Sequence, residues 1–362
     1  MLKSISLQNF RSYKKSEFNF SGDTTIVIGP NTSGKTNFIE AIFLLATGKS
    51  FRTDKDTQMI SFKEDLARVK AKVGDPSVSS GQVTELEVII TNGQIGGKTS
   101  QYKKFLVNGV SKRRVDFAQN LTAVLFSPED LEIIVDSPSL RRKFLDNVLE
   151  QVDREYRVAV ISYTKALRQR NALLEKTRET NIRNEKQFEY WDNLVIENGE
   201  LITKKREEFI NFVNNETKDI FDFVTFYDKS VISKQRLLQY REAEVASAVT
   251  LVGPHRDDFS VSMFNNTRQT THDVKFYGSR GQQRLVVLQL KLLELLFVEK
   301  KLGQRPVLIL DDIFSELDEG HIELILDMIN LQQTVITTTH KEFIPANILK
   351  KMQVIKFTKE EK

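Results

Sequence analysis

Hydrophobic and polar positions alternate along much of the first third of the chain. Ile5 and Leu7 sit between polar neighbours, as do Phe18 and Phe20 and later Leu86, Val88 and Ile90, the period-2 pattern of half-buried strands. Residues 24–28 form a short β-branched run that stops at Gly29-Pro30, a strand ended by a turn. Phe38, Ile39, Ala41, Ile42, Leu44 and Leu45 then give a helix a broad apolar face. Asn92-Gly93 and Asn108-Gly109 are hairpin-turn signals.

The character shifts near Ser127-Pro128. From about residue 139 to residue 245 Lys, Arg, Glu, Asn and Gln dominate with helical spacing, and Val160, Tyr163, Leu167 and Leu174 fall near one stripe. Trp191, Leu194, Ile202 and Phe209 continue in kind, which predicts a helical bundle with solvated outer faces. Past residue 251 strand and helix patterns return, ending in the apolar runs 307–310 and 334–337. The expected fold is α/β: a domain assembled from both chain ends, residues 1–125 and 305–362, with a mainly helical lobe, 126–304, inserted between them.

Composition narrows the chemistry. Cys is absent, which rules out disulfides, thiolate zinc sites, iron–sulfur clusters and cysteine nucleophiles. The histidines, His255, His272, His321 and His340, are too scattered to suggest a metal site by spacing. With 53 Lys+Arg against 49 Asp+Glu the chain is mildly basic, which neither requires nor excludes a nucleic-acid partner. No run approaches the ~20 apolar residues of a membrane helix, and the N-terminus has no signal-peptide core. A soluble cytoplasmic protein is expected.

The run Gly29-Pro30-Asn31-Thr32-Ser33-Gly34-Lys35-Thr36 matches the phosphate-binding loop G-x-x-x-x-G-K-[ST], with the required strand before and helix after. Two glycines let the backbone curl around an anion, Lys35 and the helix N-terminus supply positive potential, and Thr36 offers a hydroxyl to Mg²⁺. Residues 307–310 followed by Asp311-Asp312 read as a buried strand delivering acids to the sheet edge. There Asp311 would serve the Mg²⁺ shell and Asp312 the attacking water. Ser279-Arg280-Gly281-Gln282 precedes a long apolar helix, with Ser279 as a natural N-cap and unsatisfied N–H groups behind it.

The order of phosphate loop, Ser279–Gln282 segment and acidic strand, followed by Ser315-Glu316-Leu317-Asp318, resembles the ABC-type ATPases. More narrowly, Asn9-Phe10-Arg11, Asn31 to Asn37, Glu40-Ala41-Ile42 and Ser50-Phe51-Arg52 resemble the bacterial RecF family of recombinational-repair proteins. So do Ser127 to Leu131, Arg141 to Asp146, Arg168 to Asn171 and Gly253 to Asp258. The resemblance implies an ABC-type head whose ATP is held by Gly29 to Asn37 and Arg11. It also implies a signature, Ser279 to Gln282, that acts in trans across an ATP-dependent homodimer, with Ser315 to Asp318 as the D-loop. It further implies DNA at gaps or single-strand/duplex junctions, and RecR and RecO as partners in loading RecA. The chain between Lys35 and Ser279 holds no sustained heptad run. At ~1.5 Å per residue a helical hairpin there reaches several tens of ångströms at most, which excludes the long arms of SMC proteins.

The sequence departs from the ABC pattern in three places. Asp312 stands where transporter ATPases carry Glu, which predicts slow hydrolysis and a switch rather than a motor. Thr338 or His340 fills the position of the usual switch His, and Glu129 substitutes for the Q-loop Gln. His255-Arg256-Asp257 imitates a kinase catalytic loop, but position 262 is Ser and no D-F-G follows. Lys112-Arg113-Arg114 and Arg141-Arg142-Lys143 are the candidate DNA-contacting clusters. Competing readings are the ATPase subunit of a transporter, another ABC/SMC-type ATPase, and a P-loop kinase.

Overall fold

The computed structural model describes residues 1–74, 83–264, 270–315, 331–339 and 352–358, together with Ile329, Glu342 and Leu349. They divide into two compact units, residues 1–128 with 298–362, and residues 129–297. The divisions expected at 125/126 and 304/305 thus fall at 128/129 and 297/298. The helix Arg280–Leu302 lies across the second of these divisions.

In the first unit the alternating segments pair into a six-stranded antiparallel sheet. It contains β1 (Leu2–Phe10), β2 (Tyr13–Asn19), β4 (Leu66–Gly74), β5 (Val83–Thr91), β8 (Lys103–Val107) and β9 (Val110–Lys112), in the order β2-β1-β4-β5-β8-β9. Asn108 and Gly109, both at positive φ, make the β8–β9 turn that the Asn-Gly pair predicts. The other Asn-Gly pair does not turn the chain. Asn92-Gly93 leads into a small hairpin, β6 (Gln94–Ile95) and β7 (Lys98–Thr99), whose reversal falls at Gly96-Gly97, two residues free to take positive φ.

The second sheet of this unit is all parallel. Its strands β3 (Thr24–Ile28), β10 (Ala123–Phe126), β14 (Val307–Asp311), β15 (Thr334–Thr338) and β16 (Gln353–Lys356) run in the order β10-β14-β15-β3-β16. Strands β10 and β14 are buried throughout, which is why they read as unbroken apolar runs. Helix α1 (Lys35–Thr47) packs against both sheets, so Phe43 and Ala46 are buried as well as the face that the sequence marks. It ends at Gly48, left-handed at φ 73, whose N–H returns to the Leu44 carbonyl. A short helix, α2 (Arg114–Phe117), precedes β10.

The second unit is helical, with a small sheet. Helices α3 (Glu132–Val135), α4 (Pro138–Val152), α5 (Arg154–Thr180), α6 (Glu185–Asn215), α7 (Lys234–Gln239) and α8 (Arg241–Ser247) accompany β11 (Phe223–Asp228), β12 (Asp258–Phe264) and β13 (Thr271–Asp273). The strands form an antiparallel sheet that the bundle expectation omitted; Phe223 and Thr225 on β11, with Phe259 and Val261 on β12, alternate inward. Helices α5 and α6 are capped by Asp153 and Asn184, whose side chains accept from Tyr156 N–H and Gln187 N–H. Trp191, on α6, packs against the edge of this core with Tyr190 edge-on to it at 4.8 Å. Helices α9 (Val274–Tyr277) and α10 (Arg280–Leu302) follow, and α10 ends among residues of the first unit. Among the described residues no helix is long and apolar enough to cross a membrane.

Buried arginines knit the second unit together. Arg206 reaches Asp146 at 2.8 Å, Asp257 at 3.2 Å and the Pro254 carbonyl at 2.7 Å. Asp257, fully buried, also accepts from Ser230 N–H and the Tyr227 hydroxyl. The His-Arg-Asp run is therefore a packing anchor rather than a catalytic loop. Arg170, fully buried, pairs with Glu244 and Asp192, both at 2.7 Å. Arg141 forks onto Asp258 at 2.6 and 3.0 Å and donates to the Ile133 and Asp136 carbonyls.

His255 sits between the Tyr163 hydroxyl and the Thr250 carbonyl, and burial lowers its pKa to about 4. The unfolded chain, with an ordinary imidazole near 6.5, binds the proton that the native state refuses. Stability therefore falls as pH drops from about 6.5 toward 4, by roughly 3 kcal/mol across that window. Chemical denaturation at a series of pH values should show this slope, and a His255→Gln variant should flatten it.

Candidate nucleotide site

Strand β3 delivers the chain into the loop at Gly29, where a side chain has no room. A Cβ there would lie 2.6 Å from Ser33 Oγ and 2.9 Å from the Phe357 carbonyl oxygen. Gly34, at φ 100, starts α1 in the left-handed region, and its carbonyl accepts from the Tyr13 hydroxyl at 3.0 Å. Thr32 also lies at positive φ, 68°, a strained setting for a β-branched residue that the surrounding loop holds in place. Lys35 folds back into the loop, donating to the Gly29 and Pro30 carbonyls at 2.8 and 3.1 Å. Burial lowers the Lys35 pKa, and the charges of Asp312 and Asp311 oppose that shift. Among the described residues, the buried Ser33 hydroxyl has no hydrogen-bond partner.

Because the strands of this sheet are parallel, the ends of β3, β15, β14 and β10 share one edge. The acidic strand is not next to β3: β15 lies between them, with Thr337 opposite Asp311 on one side and Val27 on the other. That placement gives Thr337 a task that the sequence did not announce. Its hydroxyl donates to Asp311 Oδ1 at 2.5 Å and accepts the Asp312 N–H at 3.2 Å, while its carbonyl accepts that same N–H at 3.1 Å. Asp312 is itself held at φ 51. Thr338 is fully buried at the end of β15, and its carbonyl takes the Gly29 N–H at 3.3 Å. One strand thus orients both the acidic pair and the mouth of the loop.

A second cluster surrounds Glu40, a fully buried carboxylate on α1. Arg11 grips it with two nitrogens at 2.8 and 2.6 Å and spends a third on the Gln58 carbonyl. Ser50 donates to Glu40, and Arg52 lies 3.5 Å from it and 2.9 Å from Asn37 Oδ1. Asn37 in turn donates to Ser12 Oγ. Arg11, expected as a nucleotide ligand, pairs with Glu40 on α1, while its neighbours Ser12 and Tyr13 contact Asn37 and the Gly34 carbonyl. The signal for Glu40 was visible in the sequence: a lone carboxylate inside an otherwise apolar helical run.

In the second unit Ser279 accepts from Gln282 N–H at 3.2 Å and donates its own N–H to Gln282 Oε1 at 2.8 Å, a reciprocal capping box. Ser279, Arg280 and Gly281 are exposed, and a Cβ at Gly281 would meet nothing closer than 3.9 Å. Glu129 is exposed in the turn Pro128–Leu131 that follows β10. Ser315 closes the short turn Ile313–Ser315, whereas Glu316, Leu317, Asp318 and His340 lie outside the described residues.

The basic clusters divide. Lys112 and Arg113 are exposed, Arg113 pairing with Asp116 at 3.3 Å. Arg114 is half-buried, its Nη1 3.4 Å from the Thr47 carbonyl at the end of α1. Arg141 is turned inward onto Asp258 and presents nothing to a phosphate, and Arg142 donates to the Asp257 carbonyl. Lys143 is half-buried.

Comparison with known proteins decides the family. The family model described as the RecF/RecN/SMC N terminal domain matches residues 1–362. The DNA replication and repair protein RecF of Shouchella clausii is 33% identical over 372 residues, 96% of this chain and 95% of its own. This chain belongs to the RecF family. The RecF of Agathobacter rectalis is 35% identical over 352 residues, 94% of this chain and 92% of its own. A solved structure of the recombination mediator protein RecF-ATP, of the RecFOR pathway, aligns at a TM-score of 0.83 and 31% identity. That alignment covers 95% of this chain and 93% of the other. The RecF fold is an ABC-type head without long coiled-coil arms, the class that the motif order implies.

Proposed function

We propose that this RecF-family chain is an ATP-driven switch of recombinational repair and replication restart. ATP closes a homodimer on DNA at gaps or single-strand/duplex junctions, in aid of RecR and RecO as they load RecA, and slow hydrolysis releases it. One observation carries the reading. Each chain carries an acid-backed phosphate loop and, apart from it, an exposed turn capped by Ser279 and Gln282, which this reading takes as the two halves of a triphosphate cage.

In this reading residues 29–37 wrap the phosphates, with the orphaned Ser33 hydroxyl and the desolvated Lys35 ammonium as donors awaiting an anion. The Thr36 hydroxyl and the Asp311 carboxylate are hard oxygen donors that suit Mg²⁺, which when bound neutralises charge on the β- and γ-phosphates. Asp312 accepts the proton of the attacking water. Ser279 to Gln282 meet the γ-phosphate of the other protomer, Ser315 to Asp318 line the two-fold contact, and Thr338 or His340 and Glu129 report the phosphate state. Lys112 and Arg113, with smaller contributions from Arg142 and Lys143, face DNA phosphates.

Nucleotide bound between protomers stabilises the pair by mass action, so sedimentation velocity should show a dimer that appears with ATP and Mg²⁺. Ser279→Arg places a bulky cation in the trans contact. ATP affinity of the monomer should stay within about twofold, while the dimer dissociation constant rises at least tenfold. A wild-type chain that stays monomeric at saturating ATP and Mg²⁺ would overturn the proposal.

A further inference from the structure

Two aromatic side chains stand in solvent immediately before the signature. Phe276 is 73% exposed and Tyr277 69%, both on the four-residue helix α9. Adjacent exposed aromatics form a contiguous apolar patch, the kind of surface that marks an interaction site. These two are also held rigidly. Val274 is fully buried beneath them, Asp273 caps the helix by accepting the Lys275 N–H at 2.7 Å, and Lys275 Nζ donates to the Asp136 carbonyl. Gly278 N–H closes the helix on the Val274 carbonyl, and a Cβ at Gly278 would lie 2.6 Å from that oxygen. The His272 ring packs against Tyr277 at 5.5 Å.

The decisive contact is Gln283. It lies on the first turn of α10, the helix that the signature caps, and is nine-tenths buried. Its side-chain amide donates to the Val274 and Lys275 carbonyls at 3.2 and 3.3 Å. Helix α9 and the signature turn are therefore tied together, and Phe276 and Tyr277 stand only three and two residues ahead of Ser279.

We infer that Phe276 and Tyr277 are the apolar anchors of the ATP-closed homodimer and seat on the second copy of this chain beside the nucleotide that its phosphate loop holds. The inference rests on the trans role of the signature proposed above and adds to it the surface that gives the contact its strength. Phosphate contacts alone are polar and solvent-sensitive. Aromatic rings dominate interface energetics, and each buries about 150–250 Å². Two-fold symmetry doubles the pair, and with Phe276 73% and Tyr277 69% exposed in the free chain, four rings supply roughly 400–700 Å², a substantial share of the ~1,600 Å² of a standard stable interface. In the monomer the rings carry little of the fold, so their removal is tolerated.

The test is the double variant Phe276→Ser/Tyr277→Ser, compared with wild type by sedimentation velocity across a concentration series with ATP and Mg²⁺. Thermal unfolding and monomer ATP affinity should match wild type, and the dimer dissociation constant should rise at least tenfold. A Phe276→Trp reporter, made with Trp191→Phe, should shift its emission to the blue on adding ATP, and Ser279→Arg should abolish that shift. A wild-type chain that does not dimerise refutes the trans-signature reading itself. A wild type that dimerises beside a double variant that dimerises equally well refutes this inference alone. It is equally refuted if the variant loses DNA affinity while its ATP-driven dimer is intact, because the rings would then serve nucleobases.

Discussion

Asp312→Asn should lower ATP turnover by about 10²–10⁴-fold, the usual worth of a positioned general base, while leaving ATP affinity within a few-fold of wild type. The geometry makes this a clean substitution. The backbone of residue 312 is fixed through its N–H, which bonds to both the carbonyl and the hydroxyl of Thr337, and neither bond involves the side chain that is changed. An amide cannot accept the proton of the attacking water, so the pre-hydrolysis dimer should accumulate. Phosphate release measured alongside sedimentation reads both effects. If the variant hydrolyses ATP at the wild-type rate, the proton acceptor is another group. The shorter reach of Asp compared with Glu also bears on the parent enzyme, for which a turnover of tens per second would contradict the slow switch.

Arg206→Ala should destabilise the second unit by roughly 3–5 kcal/mol, the cost of leaving buried carboxylates unpaired. Arg206 is 4% exposed and its guanidinium joins Asp146, Asp257, the Pro254 carbonyl and the Tyr156 hydroxyl. Its loss leaves Asp257, which is fully buried, without a counter-charge. For a unit of this size the unfolding midpoint should fall by roughly 10 °C. Arg206→Lys should rescue only part of the loss, since a single ammonium cannot reproduce the planar fork. Calorimetry on the full chain settles it, and a midpoint within a degree or two of wild type would mean that the network is cosmetic.

These two residues illustrate what a linear sequence can and cannot disclose. The phosphate loop, the start of α1 and the Ser279 cap were legible because each depends on residues within a few positions of one another. The Asn108-Gly109 turn was legible for the same reason. The position of β15 was not, since strand order is a long-range property, and with it went Thr337, one threonine in a run of three. Arg141 read as part of a surface cluster because its partner, Asp258, is more than a hundred residues away, and a basic triplet looks the same whether it is solvated or buried. The Arg11–Glu40 pair was hidden for a related reason: the family segment located Arg11 near the loop but could not show its partner, 29 residues away.

The single tryptophan has a practical consequence for every measurement above. Trp191 belongs wholly to the inserted lobe, so tryptophan emission, excited selectively, reports that lobe during a melt rather than the head that carries the phosphate loop. Circular dichroism sees both. Running the two probes on one sample separates the thermal transitions of the lobes without any label, and ATP should move the dichroism trace further than the fluorescence trace.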